Sequence, residues 1–173
     1  MYKLNAIDSL EALKMSIQCE NDMKEFYSKA STLVKNDDAE TILRGLADKE
    51  EKNRLKLIKT YGKTSGKKIL YLNLGTKHKL SSLIRCCEDP NDAVRIVKKN
   101  EKELKNFYMT VSRRLVESEL RALFRDLAME REQHLVLLES SFVEPLQLDQ
   151  EPVQENPDDM LAQVTVLINK SEE

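Results

Sequence analysis

Apolar residues recur along this chain at steps of three and four, the pattern of helices that bury one face. The first run lies between Asp8 and Lys35. Its stripe is Leu13, Ile17, Met23, Tyr27, Ala30 and Val34, and the step is kept only when Glu20 is counted in it. Asp8, with Glu11 three residues on, makes a capping-box start. A second run begins near "NDDAE" and carries Ala39, Ile42, Leu46, Leu57 and Tyr61; its stripe passes through Glu50 and Asn53. A third follows "DPND", where Pro90 suits a first helical turn. Val94, Val97, Leu104, Tyr108, Val111 and Leu115 form its stripe, with Glu101 among them. The fourth, from Ser118 to Phe142, carries Leu120, Leu127 and Leu138 and passes through Arg131 and His134. Four such runs predict an all-α protein.

The runs are two copies of one pattern. At a fixed offset of 81 residues, the stretch from Ala12 to Asn53 meets ten identities without a gap, among them Glu20/Glu101, Lys24/Lys105, Tyr27/Tyr108 and Glu51/Glu132. A gapless repeat of this length describes two helical hairpins, since a solenoid needs a shorter period and more copies. Between the hairpins lies "GKTSGKKILYLNLGTKHKLSSLIRCCED", with six Lys/Arg and no acid before Glu88. A connection this long lets the second and third helices run parallel within an antiparallel four-helix bundle. Within it, "ILYLNL" reads as a short strand or strap, the basic charge of the crossover (61–85) as a solvated loop, and His78 as a surface histidine. After Phe142 the text becomes acidic and holds three of the four prolines. The expected organisation is therefore a bundle over 1–142 and a tail over 143–173, an extended arm in which "DDMLAQVTVLINK" adds a short helix.

The six polar positions on the stripes are the chemically informative ones. The offset places Glu20 on Glu101, Glu50 on Arg131 and Asn53 on His134. Burying an unpaired carboxylate costs roughly several kcal/mol, so these groups must pair with one another, with Arg131 or with a metal. A Glu from each of two helices and Glu-x-x-His from each of the other two is the ligand set of two-metal carboxylate centres in four-helix bundles. Hard carboxylates bridge and neutralise the ions while imidazoles complete the coordination. Here "EEKN" (Glu50 to Asn53) keeps the Glu without the His, and "REQH" (Arg131 to His134) keeps the His without the Glu.

The segments "CENDMKEFY" and "GLADKEEKNRLKLI", then "KNEKELKNFY" and "DLAMEREQHLVLL", resemble the rubrerythrin branch of the ferritin-like superfamily. The family's pattern is a Glu seven residues before a Tyr, then "LA" followed by Glu-x-x-His, in both hairpins. The resemblance spans Asp8 to Ser141 and implies a ferritin-like bundle with a left-handed crossover, while the gapless offset of 81 predicts an approximate twofold axis through the site. It implies that Glu20 and Glu101 match the single-Glu positions, Glu50 the first bridging Glu, and His134 the second His. Asn53 then stands where the first His belongs and Arg131 where the second bridging Glu belongs. Arg131 brings a fixed cation into the site, because Arg stays protonated in proteins. A full diiron centre is accordingly not expected, and the cofactor is either none or one metal ion (iron, zinc or manganese).

Composition narrows the rest. With 34% charged residues, 40% hydrophobic residues and a net charge of −2, nothing calls for a nucleic-acid partner. Cys19, Cys86 and Cys87 form no Cys-x-x-Cys pair, which favours reduced thiols over a disulfide framework or a zinc site; Cys19 is expected beside the core stripe as a buried or half-buried thiol. No apolar run approaches bilayer length and the N-terminus lacks a signal-peptide core, so a cytoplasmic protein with no membrane partner is expected, as a homo-oligomer, most simply a dimer. Three functions follow. First comes a structural, interaction or regulatory module whose site is degenerate, with Arg131 within hydrogen-bond reach of Glu20, Glu50 or Glu101. Next is a mononuclear metal protein using Glu50, Glu101 and His134. A diiron peroxidase or other oxidoreductase ranks last.

Overall fold

The computed structural model describes residues 8–69 and 90–142. The expectations for "ILYLNL" beyond Ile69, His78, Cys86, Cys87, the hand of the crossover and the tail 143–173 lie outside the described residues. Four helices are formed: α1 (Ser9–Leu33), α2 (Asp37–Ser65), α3 (Pro90–Arg114) and α4 (Ser118–Ser141). Among the described residues there is no strand.

The helix ends follow local chemistry. The Asp8 carboxylate accepts hydrogen bonds from the backbone N–H groups of Leu10 (2.7 Å) and Glu11 (3.3 Å). Glu11 itself turns to Lys14 at 3.5 Å, so one arm of the expected capping box forms. Asn36 caps α2 by accepting from the Ala39 N–H at 2.9 Å, and Asp37, Asp38 and Glu40 place negative charge at the positive end of the helix dipole. At the far end Gly66 takes the left-handed conformation (φ 68°) and its N–H donates to the Gly62 carbonyl at 3.1 Å. A side chain there would be strained, which is why glycine stops the helix.

Short connections, Val34 to Asn36 and Leu115 to Glu117, make α1/α2 and α3/α4 antiparallel neighbours. Cross-hairpin pairing gives the remaining directions. Tyr27 reaches Glu101 while Tyr108 reaches Glu20, so α3 runs against α1. His134 meets Glu50 while Asn53 meets Glu130, so α4 runs against α2. It follows that α2 and α3 are parallel.

The expected stripes are buried, with informative differences. Leu43 lies in the core where Ile42 was expected; Ile42 is half-buried. Cys19, expected beside the stripe, is buried with Met15, Ser16 and Phe26. A bundle helix has two neighbours, and α1 packs on both α2 and α3, so its buried face is broader than a stripe drawn against one partner. The buried hydroxyls find local acceptors: Ser16 donates to the Ala12 carbonyl at 2.7 Å and Ser112 to that of Arg121 at 2.9 Å. All six polar positions are buried; Glu20, Glu50, Glu101 and Arg131 are 0% exposed, His134 1% and Asn53 6%.

Candidate metal centre

Each of the four helices sends one charged side chain to a common centre, at points where the helical period leaves it no route to water. Arg131 of α4 stands in the middle. Its Nη1 donates to Glu50 Oε1 at 2.8 Å and to Glu101 Oε1 at 3.2 Å. Its Nη2 donates to Glu20 Oε2 at 2.6 Å and also to Glu50 Oε2, so the pairing with Glu50 is the two-pronged fork that suits guanidinium and carboxylate. The Nε–H is buried without a partner among the described residues. The guanidinium lies 5.8 Å from the Tyr108 ring centroid, within cation–π range.

The two tyrosines complete the cluster with twofold regularity. Tyr27 on α1 donates its hydroxyl to Glu101 on α3, and Tyr108 on α3 donates to Glu20 on α1. Their roles as donors were not read from the stripes, where they counted as apolar. The signal was present: seven residues from Glu to Tyr is two helical turns, so each hydroxyl sits on the face of its own Glu and can cross to the antiparallel partner. His134 joins through Nδ1, which lies 3.4 Å from both Glu50 Oε1 and Glu101 Oε1. Asn53 does not join. Its amide donates to Glu130 at 2.6 Å, a partner that sequence reasoning missed because Glu130 lies off the core stripe.

Three carboxylates share one guanidinium, and Glu50 and Glu101 respond in opposite directions. Burial pushes the Glu50 carboxyl well above its usual range; Arg131 opposes the shift, while the charges of Glu20 and Glu101 add to it. Glu101 is also subject to the burial penalty, yet Arg131, His134 and the Tyr27 hydrogen bond together hold it below the usual range. Burial raises both tyrosine hydroxyls, helped by the carboxylates beside them, which keeps them protonated as donors. For Arg131 burial works against the charge, but Glu101, Glu20 and Glu50 outweigh it and raise its pKa. The centre is a guanidinium held by three carboxylates, among which burial raises Glu50 while its partners lower Glu101.

Does a metal pair fit these residues? Two of its six ligand positions are Asn53, turned away, and Arg131, whose nitrogens already bond all three carboxylates. The six-ligand two-metal set does not fit. A smaller set is present: donor atoms of Glu50, Glu101 and His134 lie within 4.8 Å of one another. Donors placed tetrahedrally at about 2.1 Å from an ion stand about 3.4 Å apart. Both distances from His134 Nδ1 match that edge. The two carboxylate oxygens, however, are those that Arg131 Nη1 holds, so an ion would contest them with a fixed cation.

Two antiparallel helical hairpins with ligand-type side chains converging on the bundle centre are the architecture of ferritin-like carboxylate proteins; three of the four carboxylate positions are kept here. A sequence profile of the Rubrerythrin family matches residues 11–141, and the chain belongs to that family. None of the curated proteins matches the chain. Among solved structures, it is similar to a hypothetical protein from Pyrococcus furiosus at 23% identity, with a TM-score of 0.62 over 78% of this chain and 88% of that one. At that identity the likeness bears on the fold alone. No helix among the described residues is long and apolar enough to cross a membrane.

Proposed function

We propose that this rubrerythrin-family chain carries a degenerate carboxylate centre, in which an arginine takes the place of metal charge, and that it serves as a structural, interaction or regulatory module. The observation that carries this reading is the position of Arg131, bonded to Glu20, Glu50 and Glu101 with no access to solvent. A guanidinium supplies the positive charge the carboxylates need and spans them through several donors. It offers neither an open coordination position nor a redox couple. The chain's own residues then balance charge at the centre and exclude water, and the cluster joins the hairpins through charge-assisted bonds.

A second reading rests on the spacing of His134 Nδ1 from Glu50 and Glu101: one iron, zinc or manganese ion held by those three residues. If bound, such an ion would supply Lewis acidity at the positions that Nη1 now contests. The proposal places the protein in the cytoplasm as a dimer, with the bundle as one unit and the acidic tail as another.

Metal content per chain after purification without chelator separates the readings. Fewer than about 0.1 ions per chain, with no uptake on adding ferrous, zinc or manganous salts, is the outcome for an arginine-filled centre. Stoichiometric uptake of one ion, lost in His134→Ala, supports the second reading. Two irons per chain in the unaltered protein would refute both. Asn53→His together with Arg131→Glu should restore a two-iron set, read as two ions per chain and the absorption of an oxo-bridged ferric pair. Arg131→Glu should matter more, because it removes the competing cation.

A further inference from the structure

The outer surface of α2 carries a second pattern. Lys49, Lys52, Lys56, Lys59 and Lys63 follow one another at steps of three, four, three and four, and all five are exposed. That spacing lines them along one side of the helix over about 21 Å. None of the five lies within ion-pair distance of an acid among the described residues. Their neighbours behave otherwise: Lys14 pairs with Glu11, Lys24 with Glu51, Arg44 with Glu40 and Arg54 with Glu51.

An unpaired row of like charges does not serve the helix. Cations three and four apart repel one another and destabilise it. The scaffold does not require the row either. At the repeat-related places on α4 the residues are Glu130, Gln133, Leu137 and Ser140. The chain as a whole carries a net charge of −2, so the row does not reflect a generally basic chain.

We propose that this face of α2 docks an acidic polypeptide segment of a partner protein. The row is one helix wide, bordered on one side by Asp48 and Glu51, so it suits a narrow, elongated partner rather than a broad anionic surface such as a membrane. It consists of lysines alone. Arginine is the residue whose fork matches phosphate, and base-binding grooves interleave aromatic rings; this row has neither. Ammonium groups on flexible stems meet carboxylates as point charges, which gives fast, salt-sensitive docking.

The test uses the full chain and poly-L-glutamate as the probe, followed by fluorescence anisotropy across a salt series. Binding should weaken as salt rises. The triple variant Lys52→Glu/Lys56→Glu/Lys59→Glu should weaken it by at least about tenfold, because the row is reversed at its centre. Lys29→Glu/Lys35→Glu/Lys102→Glu changes net charge equally, away from the row, and should stay within about threefold of the unaltered protein. Lys→Gln at the same positions replaces either triple if circular dichroism shows it unfolded. Absence of poly-L-glutamate binding, or equal losses in the two triples, would overturn the proposal. So would tighter binding, at the same salt, of poly-uridylate, duplex DNA or phosphatidylserine vesicles.

Discussion

The two hairpins share a scaffold and differ in its charge. Outside the centre, Lys24 pairs with Glu51 at 2.9 Å in the first hairpin, and Lys105 pairs with Glu132 at the repeat-related places in the second. Closer in, Tyr27 and Tyr108 exchange hydrogen bonds with Glu101 and Glu20 across the approximate twofold. At the centre that relation inverts: Glu50 of one hairpin meets Arg131, its own repeat mate, and the two form an ion pair. Next to them His134 turns inward while Asn53 turns to Glu130. The comparison teaches that backbone packing tolerates a change of sign at one repeat position when the new side chain completes the charge balance. Two carboxylates there would call for a metal or protons; a carboxylate and a guanidinium neutralise each other.

Arg131→Met tests the inversion most severely. It keeps a long side chain in the core but leaves the buried carboxylates without a cation, at an expected loss of about 3–5 kcal/mol. Urea denaturation at pH 7 measures it. The deficit should shrink as pH falls and the abandoned carboxylates take up protons. An unchanged midpoint would mean that the guanidinium does not organise the centre.

The carboxylates of the two hairpins should differ next. Glu101→Gln removes a charged acceptor from Arg131, Tyr27 and His134 and should cost about 1.5–3 kcal/mol. Glu50→Gln also breaks the fork to Arg131 but relieves the burial penalty that holds this carboxyl high, so it should cost less than Glu101→Gln. Their pH dependences have opposite sign. Glu101, held low when folded, contributes stability that is present above its unfolded pKa of about 4.3 and lost as pH falls through the folded value. Glu50, held high, contributes stability that is present below about 4.3 and lost as pH rises through its folded value. Glu50→Gln should therefore flatten the stability curve on its alkaline side, and Glu101→Gln on its acid side. The same curve for both variants would remove the distinction drawn between them.

A smaller contrast concerns the tyrosines. Tyr108→Phe leaves Glu20 Oε1 without its donor, an expected cost of about 1–3 kcal/mol. Tyr27→Phe leaves Glu101 Oε1 with Arg131 Nη1 at 3.2 Å and His134 at 3.4 Å. Its cost should be below about 1 kcal/mol. Equal thermal shifts in the two variants would mean the twofold is energetically intact despite Arg131. Smallest of all, Lys24→Ala and Lys105→Ala should each change stability by less than about 1 kcal/mol, since both pairs are partly exposed and screened. A large effect at only one would show that the asymmetry extends beyond the centre.

Much of this molecule was legible in one dimension. The 3.6-residue period placed Glu20, Glu50, Glu101, Arg131 and His134 on buried faces, and the offset of 81 matched each to its mate. Such periodicity reports which face of a helix is buried, because that is a property of spacing along one chain. It does not report what a buried side chain touches. Asn53 shows the limit: it lies on the stripe and is 6% exposed, yet its amide turns away from the centre to Glu130 on α4. Leu43, buried where Ile42 was expected, shows another, since the width of a buried face depends on how many neighbours a helix has. The sharing of one guanidinium among three carboxylates, the crossed tyrosine bonds and the opposite shifts of Glu50 and Glu101 were decided only in the tertiary structure. They depend on the antiparallel register of the helices and on the low-dielectric interior they enclose, where a few ångströms of side-chain reach determine which group carries charge.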